Sequence, residues 1–224
     1  MLRTEFHCHT VYSKDSLTTP RQLVEACRRK HIDRVIVTDH DNIAGARAAQ
    51  AIDPERVIIG EEIMTTRGEI LAAFVTEEIP PRLTPAETIH RLRDQGAFIS
   101  VSHPFDALRS GAWAEPDLLE IAPLVDAIEV FNSRCVSAAY NRQAAAFAQR
   151  HNLAGTVGSD AHVPLELGRS VLLLEPYKDA DGLRAVIRKA TAMTLISPAW
   201  FHLFSRYAKV RKQINKWLDA SARA

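Results

Sequence analysis

The chain has 224 residues, 46% of them hydrophobic and 25% charged, with a formal net charge of +1. That length fits one domain with a sizeable core, and the near-neutral balance leaves no long-range field to draw it to nucleic acid or an anionic membrane. Three cysteines without a C-x-x-C pair argue against a disulfide framework. With no secretory h-region and no apolar run of bilayer length, the expectation is a soluble cytoplasmic protein.

Short Val- and Ile-rich runs alternate with amphipathic segments along the chain. The first run, residues 3–9, ends in His7 and His9. Thr19-Pro20 then caps a helix whose apolar stripe is Leu23, Val24 and Cys27. A second strand over 35–40 ends in His40, and a helix follows near 42–52. The run 57–60 is a third strand, with Glu62 just beyond it. Further strands are predicted near 69–75, 98–102, 125–131, 153–159 and 170–174, with helices near 85–94, 116–123, 136–150 and 180–190. Thr84-Pro85-Ala86-Glu87 reads as a capping box. His103 follows the 98–102 strand, and Asp160 and His162 follow the 153–159 strand.

Repeated β/α alternation fits either a closed barrel or an open doubly wound sheet. The polar residues decide between them. An open sheet gathers its site from two or three neighbouring strands at one switch point, whereas the candidates here come from the first strand, the last few and several between. Only a closed ring brings all those C-terminal ends to one mouth. The length is near the lower limit for eight β/α units, so the expected fold is an α/β, distorted (β/α)7 TIM-like barrel over residues 1–195.

On a strand, residues two apart share a face, so His7 and His9 face one side while Cys8 faces the other as a small core residue. Asp160-Ala161-His162 repeats that geometry, and Glu62 and Asp160 can each bridge two cations. Imidazole with carboxylate suits Zn, Mn or Fe better than Ca or Mg. The remaining histidines read as structural: His31 and His151 at helix ends, His90 within a helix, and His202 in the tail. The tail, residues 196–224, forms an extra amphipathic helix with Trp200, Leu203, Phe204, Tyr207, Val210, Ile214, Trp217 and Leu218 recurring at three and four. Arg206, Lys209, Arg211, Lys212 and Lys216 crowd its other surface. It either packs its apolar face across the barrel or on a second copy, or offers a surface for a membrane or partner.

Five segments, Phe6-His7-Cys8-His9-Thr10, Thr38-Asp39-His40-Asp41, Gly60-Glu61-Glu62, Ser102-His103-Pro104 and Gly158-Ser159-Asp160-Ala161-His162, resemble in order and spacing the motifs of the PHP (polymerase and histidinol phosphatase) family. The resemblance covers roughly residues 1–190. It implies a distorted seven-stranded barrel, two or three divalent metal ions and phosphoester hydrolysis. By that likeness His7, His9, Glu62 and Asp160 hold one ion, Glu62 and His103 a second, and Asp15, His40 and His162 a third. Glu61 is the alternative to Glu62, though the spacing after Gly60 favours Glu62. Asn132 stands where many members carry another histidine, which makes it a weaker, neutral ligand.

Clustered cations lower the pKa of a bound water and neutralise phosphoryl oxygens. Arg109, Arg134 and Arg169, with Lys14 behind them, are candidates for gripping a phosphate bidentately, or else exposed loop cations. Asp39 either orients His40 or the attacking water, or caps the helix that follows. The expected function is a metal-dependent phosphoesterase acting on a small phosphomonoester or short nucleotide through a metal-activated hydroxide. The alternatives are a nuclease or proofreading-like module and a non-catalytic metal-binding one. The charge balance disfavours stable duplex binding. The tail helix is the expected point of any homo-oligomer or surface contact.

Overall fold

The computed structural model describes residues 1–221. Strand and helix alternate along most of the chain. β1 (Leu2–Glu5) leads to α1 (Pro20–Arg29), β2 (Arg34–Val37) to α2 (Ala44–Gln50), and the hairpin β3 (Val57–Met64) and β4 (Glu69–Ala73) to α3 (Pro85–Asp94). β5 (Phe98–Val101) precedes α4 (Glu115–Ile121), β6 (Ala127–Asn132) precedes α5 (Ala138–Arg150), and β7 (Ala154–Gly158) leads to β8 (Ser170–Leu174) and α6 (Ala180–Val186). β9 (Thr191–Thr194), an exposed edge strand that the sequence did not signal, comes before α7 (His202–Ser221). The reciprocal capping box forms at Thr19 and Gln22, while at Thr84 only the hydroxyl half of the box is made, to Glu87 N.

The strands form one sheet in the order β7-β6-β5-β4-β3-β2-β1-β8-β9. Its ends meet at the mouth, where a parallel bridge pairs Cys8 with Ala161, just past β1 and β7. Seven strands thus curl into a nearly closed barrel, with β8 and β9 continuing antiparallel from the outer edge of β1. The distortion lies at β4, which runs antiparallel to both neighbours because a tight turn at Thr65–Gly68 replaces the crossover helix.

Period-two alternation builds the interior in layers. Ile36, Ile58, Phe98, Ala127 and Ala154 fill the floor, and Leu183 of α6 closes it together with Ile187, just past that helix. Two or four residues further along the same strands, the inward positions turn polar: Ser100 and Thr156 share a hydrogen bond of 2.9 Å, and above them stand Glu62, Glu129 and His40. Cys8 packs outward with Cys27, Leu23 and Val37 against α1, in the core role expected of it.

α7 and the turn before it lie across the mouth, and the apolar stripe of the helix is not the side that packs on the barrel. Phe201, Ser205 and Ala208 turn inward, whereas Leu203, Tyr207, Val210 and Ile214 are more than half exposed. No helix among the described residues is long and apolar enough to cross a membrane.

Candidate metal centre

Two backbone bridges beyond the strand ends set the ligand positions. Around Cys8 and Ala161, His9 N donates to Ala161 O at 2.8 Å and Ala161 N to His7 O at 3.3 Å, so both histidines and the 160–162 pair leave the ladder side by side. The second bridge joins His40 to Glu62 directly. Asp160 sits at φ 52°, a left-handed conformation that aspartate tolerates, and this turns the chain so that Asp160 and His162 both face the mouth. Gly158 is required beside them, because a Cβ there would collide with His7 Cβ.

The resulting donor set is compact. His7 Nε2 lies 3.2 Å from His9 Nε2, 3.3 Å from Glu62 Oε2 and 3.7 Å from Asp160 Oδ1; His9 Nε2 lies 3.4 Å and 3.2 Å from the same two oxygens. A tetrahedral ion with bonds of about 2.1 Å has donor–donor edges of about 3.4 Å. The distances from the two imidazole nitrogens to each other and to both oxygens match such edges. Asp15 Oδ1, Glu62 Oε2 and Asp160 Oδ1 are also buried without a hydrogen bond, the condition of lone pairs directed at a cation. His162 Nε2 and His40 Nε2 lie 3.3 and 3.5 Å from Asp15 Oδ1, and His103 Nε2 lies 3.2 Å from Glu62 Oε1.

Neighbouring groups fix which ring nitrogen faces the centre. Glu129 Oε1 accepts from His7 Nδ1 at 3.0 Å, Ser13 Oγ contacts His9 Nδ1 at 3.2 Å, and the Asp160 carbonyl accepts from His162 Nδ1 at 2.8 Å. Each contact leaves Nε2 for a ligand role. Burial, with His162 and His40 nearby, depresses the His9 pKa to about 4, so that ring is neutral at pH 7. Burial also opposes charge on His7, but Glu62, Asp160 and Glu129 outweigh it and raise its pKa. The Asp160 carboxyl is held low against the cost of its burial, chiefly by Arg109.

Several expected roles change. Asn132 does not offer its carbonyl oxygen to the centre: Oδ1 accepts from Arg134 N at 2.9 Å, and Nδ2 donates to Glu129 Oε2 and Asp160 Oδ2. Asp39 neither orients the His40 ring nor caps α2. It accepts from Thr10 N, Thr10 Oγ1 and Ser13 Oγ at 2.5–2.6 Å, and so supports His9 through Ser13. Arg169 is absent from the mouth, its guanidinium bonded to the Ile196 carbonyl and set over the Phe201 ring. Glu61 points into the wall, where its carboxylate accepts from Ile79 N.

Arg109 and Arg134 do reach the mouth. Arg109 donates to Asp160 Oδ2 at 2.5 Å and to Asp106 at 3.1 Å, and Arg134 binds Ser205 Oγ at 2.5 Å. With Lys14, Arg206 and Lys209 they border a cavity of about 390 Å³ over the donors. His202, expected to be merely structural, lines this cavity and contacts Arg134 at 3.2 Å. Glu129 and Glu69 were not among the expected site residues, and the place of the α7 side chains over the cavity was not expected either. For Glu129 a signal existed, since a carboxylate at an inward position of a strand needs a partner; for the α7 residues there was none.

The PHP-associated family model, PHP_C, matches residues 138–192. An uncharacterized protein of Methanocaldococcus jannaschii is 37% identical over 174 residues, covering 76% of this chain and 70% of that protein. In solved structures, a two-domain Bacteroides vulgatus protein containing a predicted PHP-like metal-dependent phosphoesterase superposes with TM-score 0.70 at 21% identity, over 87% of this chain. A lesion-specific endonuclease of Pyrococcus furiosus superposes with TM-score 0.58 at 19% identity, over 86% of this chain. The chain spans 65% of the first structure's length and 57% of the second's. With the barrel, the paired strand-end donors and these relatives in agreement, the chain belongs to the PHP family.

Proposed function

We propose that this protein is a metal-dependent phosphoesterase that hydrolyses a small phosphomonoester or short nucleotide at a centre of two or three divalent ions. The observation that carries this reading is the convergence of His7, His9, Glu62 and Asp160, four buried donors whose imidazole nitrogens lie 3.2–3.7 Å from each other and from both carboxylates, beneath a cation-rimmed cavity. Bound ions there would supply Lewis acidity and an activated water near neutral pH.

The chain's own groups do the rest. Ser13, Glu129 and the Asp160 carbonyl hold three imidazoles in the ligating tautomer. Ser102 Oγ donates to Glu62 Oε1 at 2.7 Å and fixes the carboxylate that faces both histidine pairs. Arg109 spends Nε and Nη1 on Asp106 and Asp160, which leaves Nη2 for a substrate phosphoryl oxygen. The cavity, about 390 Å³, suits a phosphorylated metabolite or one to two nucleotides.

The endonuclease neighbour, together with Lys14, Arg206 and Lys209 along the opening, supports a second reading as a nuclease on short single strands. Both are tested by one screen of phosphorylated metabolites and short oligonucleotides with Mn²⁺ or Zn²⁺. Phosphate release from monoesters is the expected result. Internal cleavage of oligonucleotides alone favours the second reading, and no hydrolysis by fully metal-loaded protein defeats both.

A further inference from the structure

The donor that Asn132 withholds has a replacement on another strand. We infer that Glu69, at the start of β4, is a ligand of the second ion, and that this makes the second position a carboxylate-rich site for a hard cation such as Mn²⁺. The inference rests on the reading of the centre as polynuclear.

Asn132 cannot be turned to serve. Its Nδ2 sits 3.1 Å from Glu129 Oε2 and 3.3 Å from Asp160 Oδ2, and rotating the amide would set its oxygen against both carboxylates while depriving Arg134 N of its acceptor. Without it, a cation beside His103 Nε2 and Glu62 Oε1 has only two donors from the expected set.

Glu69 stands beside that gap for reasons of topology. The antiparallel β3–β4 hairpin pairs it with Met64, two residues past Glu62, and Ser102 N donates to its carbonyl at 3.2 Å, next to His103. Its Oε2 lies 3.5 Å from His103 Nε2 and its Oε1 lies 3.8 Å from His40 Nδ1. Glu62 faces the same two rings, at 3.2 and 3.0 Å. Ligand atoms of His40, Glu62 and Glu69 all lie within 4.8 Å of one another, and His103 Nε2 is within 3.5 Å of both carboxylates. Among the described residues no backbone or hydroxyl group donates to the Glu69 carboxylate, although its side chain is only 7% exposed. The loop above it is shaped to admit that carboxylate: a Cβ on Gly111 would collide with Glu69 Oε2. Two carboxylates with imidazole favour Mn²⁺ over softer ions more than a histidine-rich set does.

The test is titration of metal-free protein with Mn²⁺, followed by calorimetry and by electron paramagnetic resonance for spin coupling between neighbouring ions. Wild-type protein should take up at least two ions and give a coupled spectrum. Glu69→Gln should keep the first ion, lose at least about tenfold in affinity for the second, and give an uncoupled spectrum. Glu69→Asp, which keeps the charge but withdraws it by one methylene, should weaken the same step and carries the test if the glutamine variant does not fold. Unchanged second-ion binding in the Glu69 variants overturns the inference alone. Fewer than two ions in wild-type protein overturns the polynuclear reading beneath it.

Discussion

The strand-end donors and the C-terminal helix meet at one mouth but are held there by opposite means. His7, His9, Glu62 and Asp160 are at most 1% exposed, and each leaves a backbone pinned by a bridge between neighbouring strands. α7 presents an apolar stripe to solvent and grips the barrel with Phe201, Ala208 and a few polar contacts: Arg134 to Ser205, Lys209 to Asp15, and Lys212 to the carbonyls of Val11 and Ser13. Groups that must hold a fixed geometry sit where the hydrogen-bond ladder fixes it. Arg206 and Lys209, at the rim of the cavity, sit on a helix held by those few side-chain contacts. Variants in the first region should therefore change metal content, and variants in the second should change substrate affinity.

The largest effect is expected from Asp160→Asn. Asparagine keeps the volume and accepts the left-handed backbone at φ 52°, but it loses the charge that faces His7 and His9. Turnover should fall by at least about 100-fold with the loss of one ion per chain, at unchanged circular dichroism. Wild-type turnover and metal content would remove Asp160 from the centre.

Arg134→Ala comes next. If the guanidinium serves substrate phosphate, KM should rise about 10- to 150-fold while metal content stays constant. Because Arg134 also holds Ser205, the variant Ser205→Ala separates the two roles. An equal KM rise in Ser205→Ala would assign the effect to the seating of α7.

Lys209→Ala should act more weakly. Lys209 Nζ is 3.4 Å from Asp15 Oδ2, but its side chain is 49% exposed, so solvent screens any contact it makes with a bound anion. A KM increase of about two- to fivefold that fades with added salt is expected, in the range of an exposed charge contact. A loss of bound metal instead would move α7 into the first region.

The smallest effect concerns Glu61, one residue from Glu62 but inside the wall. Burial pushes its carboxyl up to about 8. A raised folded-state pKa means the full stability contribution is present below the ordinary carboxylate range and is lost as pH rises toward 8. Glu61→Gln should thus melt higher than wild type at pH 8, by roughly 2–4 °C for each kcal/mol recovered, and gain nothing near pH 4. Its metal content should not change, which thermal melts and elemental analysis on the same samples would check.

Much of this was legible in the sequence. The alternation of strands and capped helices, the paired spacing at His7/His9 and Asp160/His162, and the outward place of Cys8 all follow from local periodicity, which the chain carries residue by residue. The closure of the sheet followed from the spread of donors over many strands, and the strand number from the chain length and the family likeness. What the sequence could not determine depends on contacts between distant segments. The orientation of the Asn132 amide is decided by Glu129, Asp160 and the Arg134 backbone together. The position of Glu69 follows from the antiparallel pairing of β3 with β4, a direction that the two strand-like runs did not specify. The removal of Arg169 from the mouth follows from its bond to Ile196 and its place over Phe201. The facing of α7 has the same origin. Its amphipathic period is written in the chain, but which side meets the barrel was decided by the charged mouth, where Asp15 and the loop carbonyls of Val11 and Ser13 could be satisfied by lysines and not by an apolar stripe.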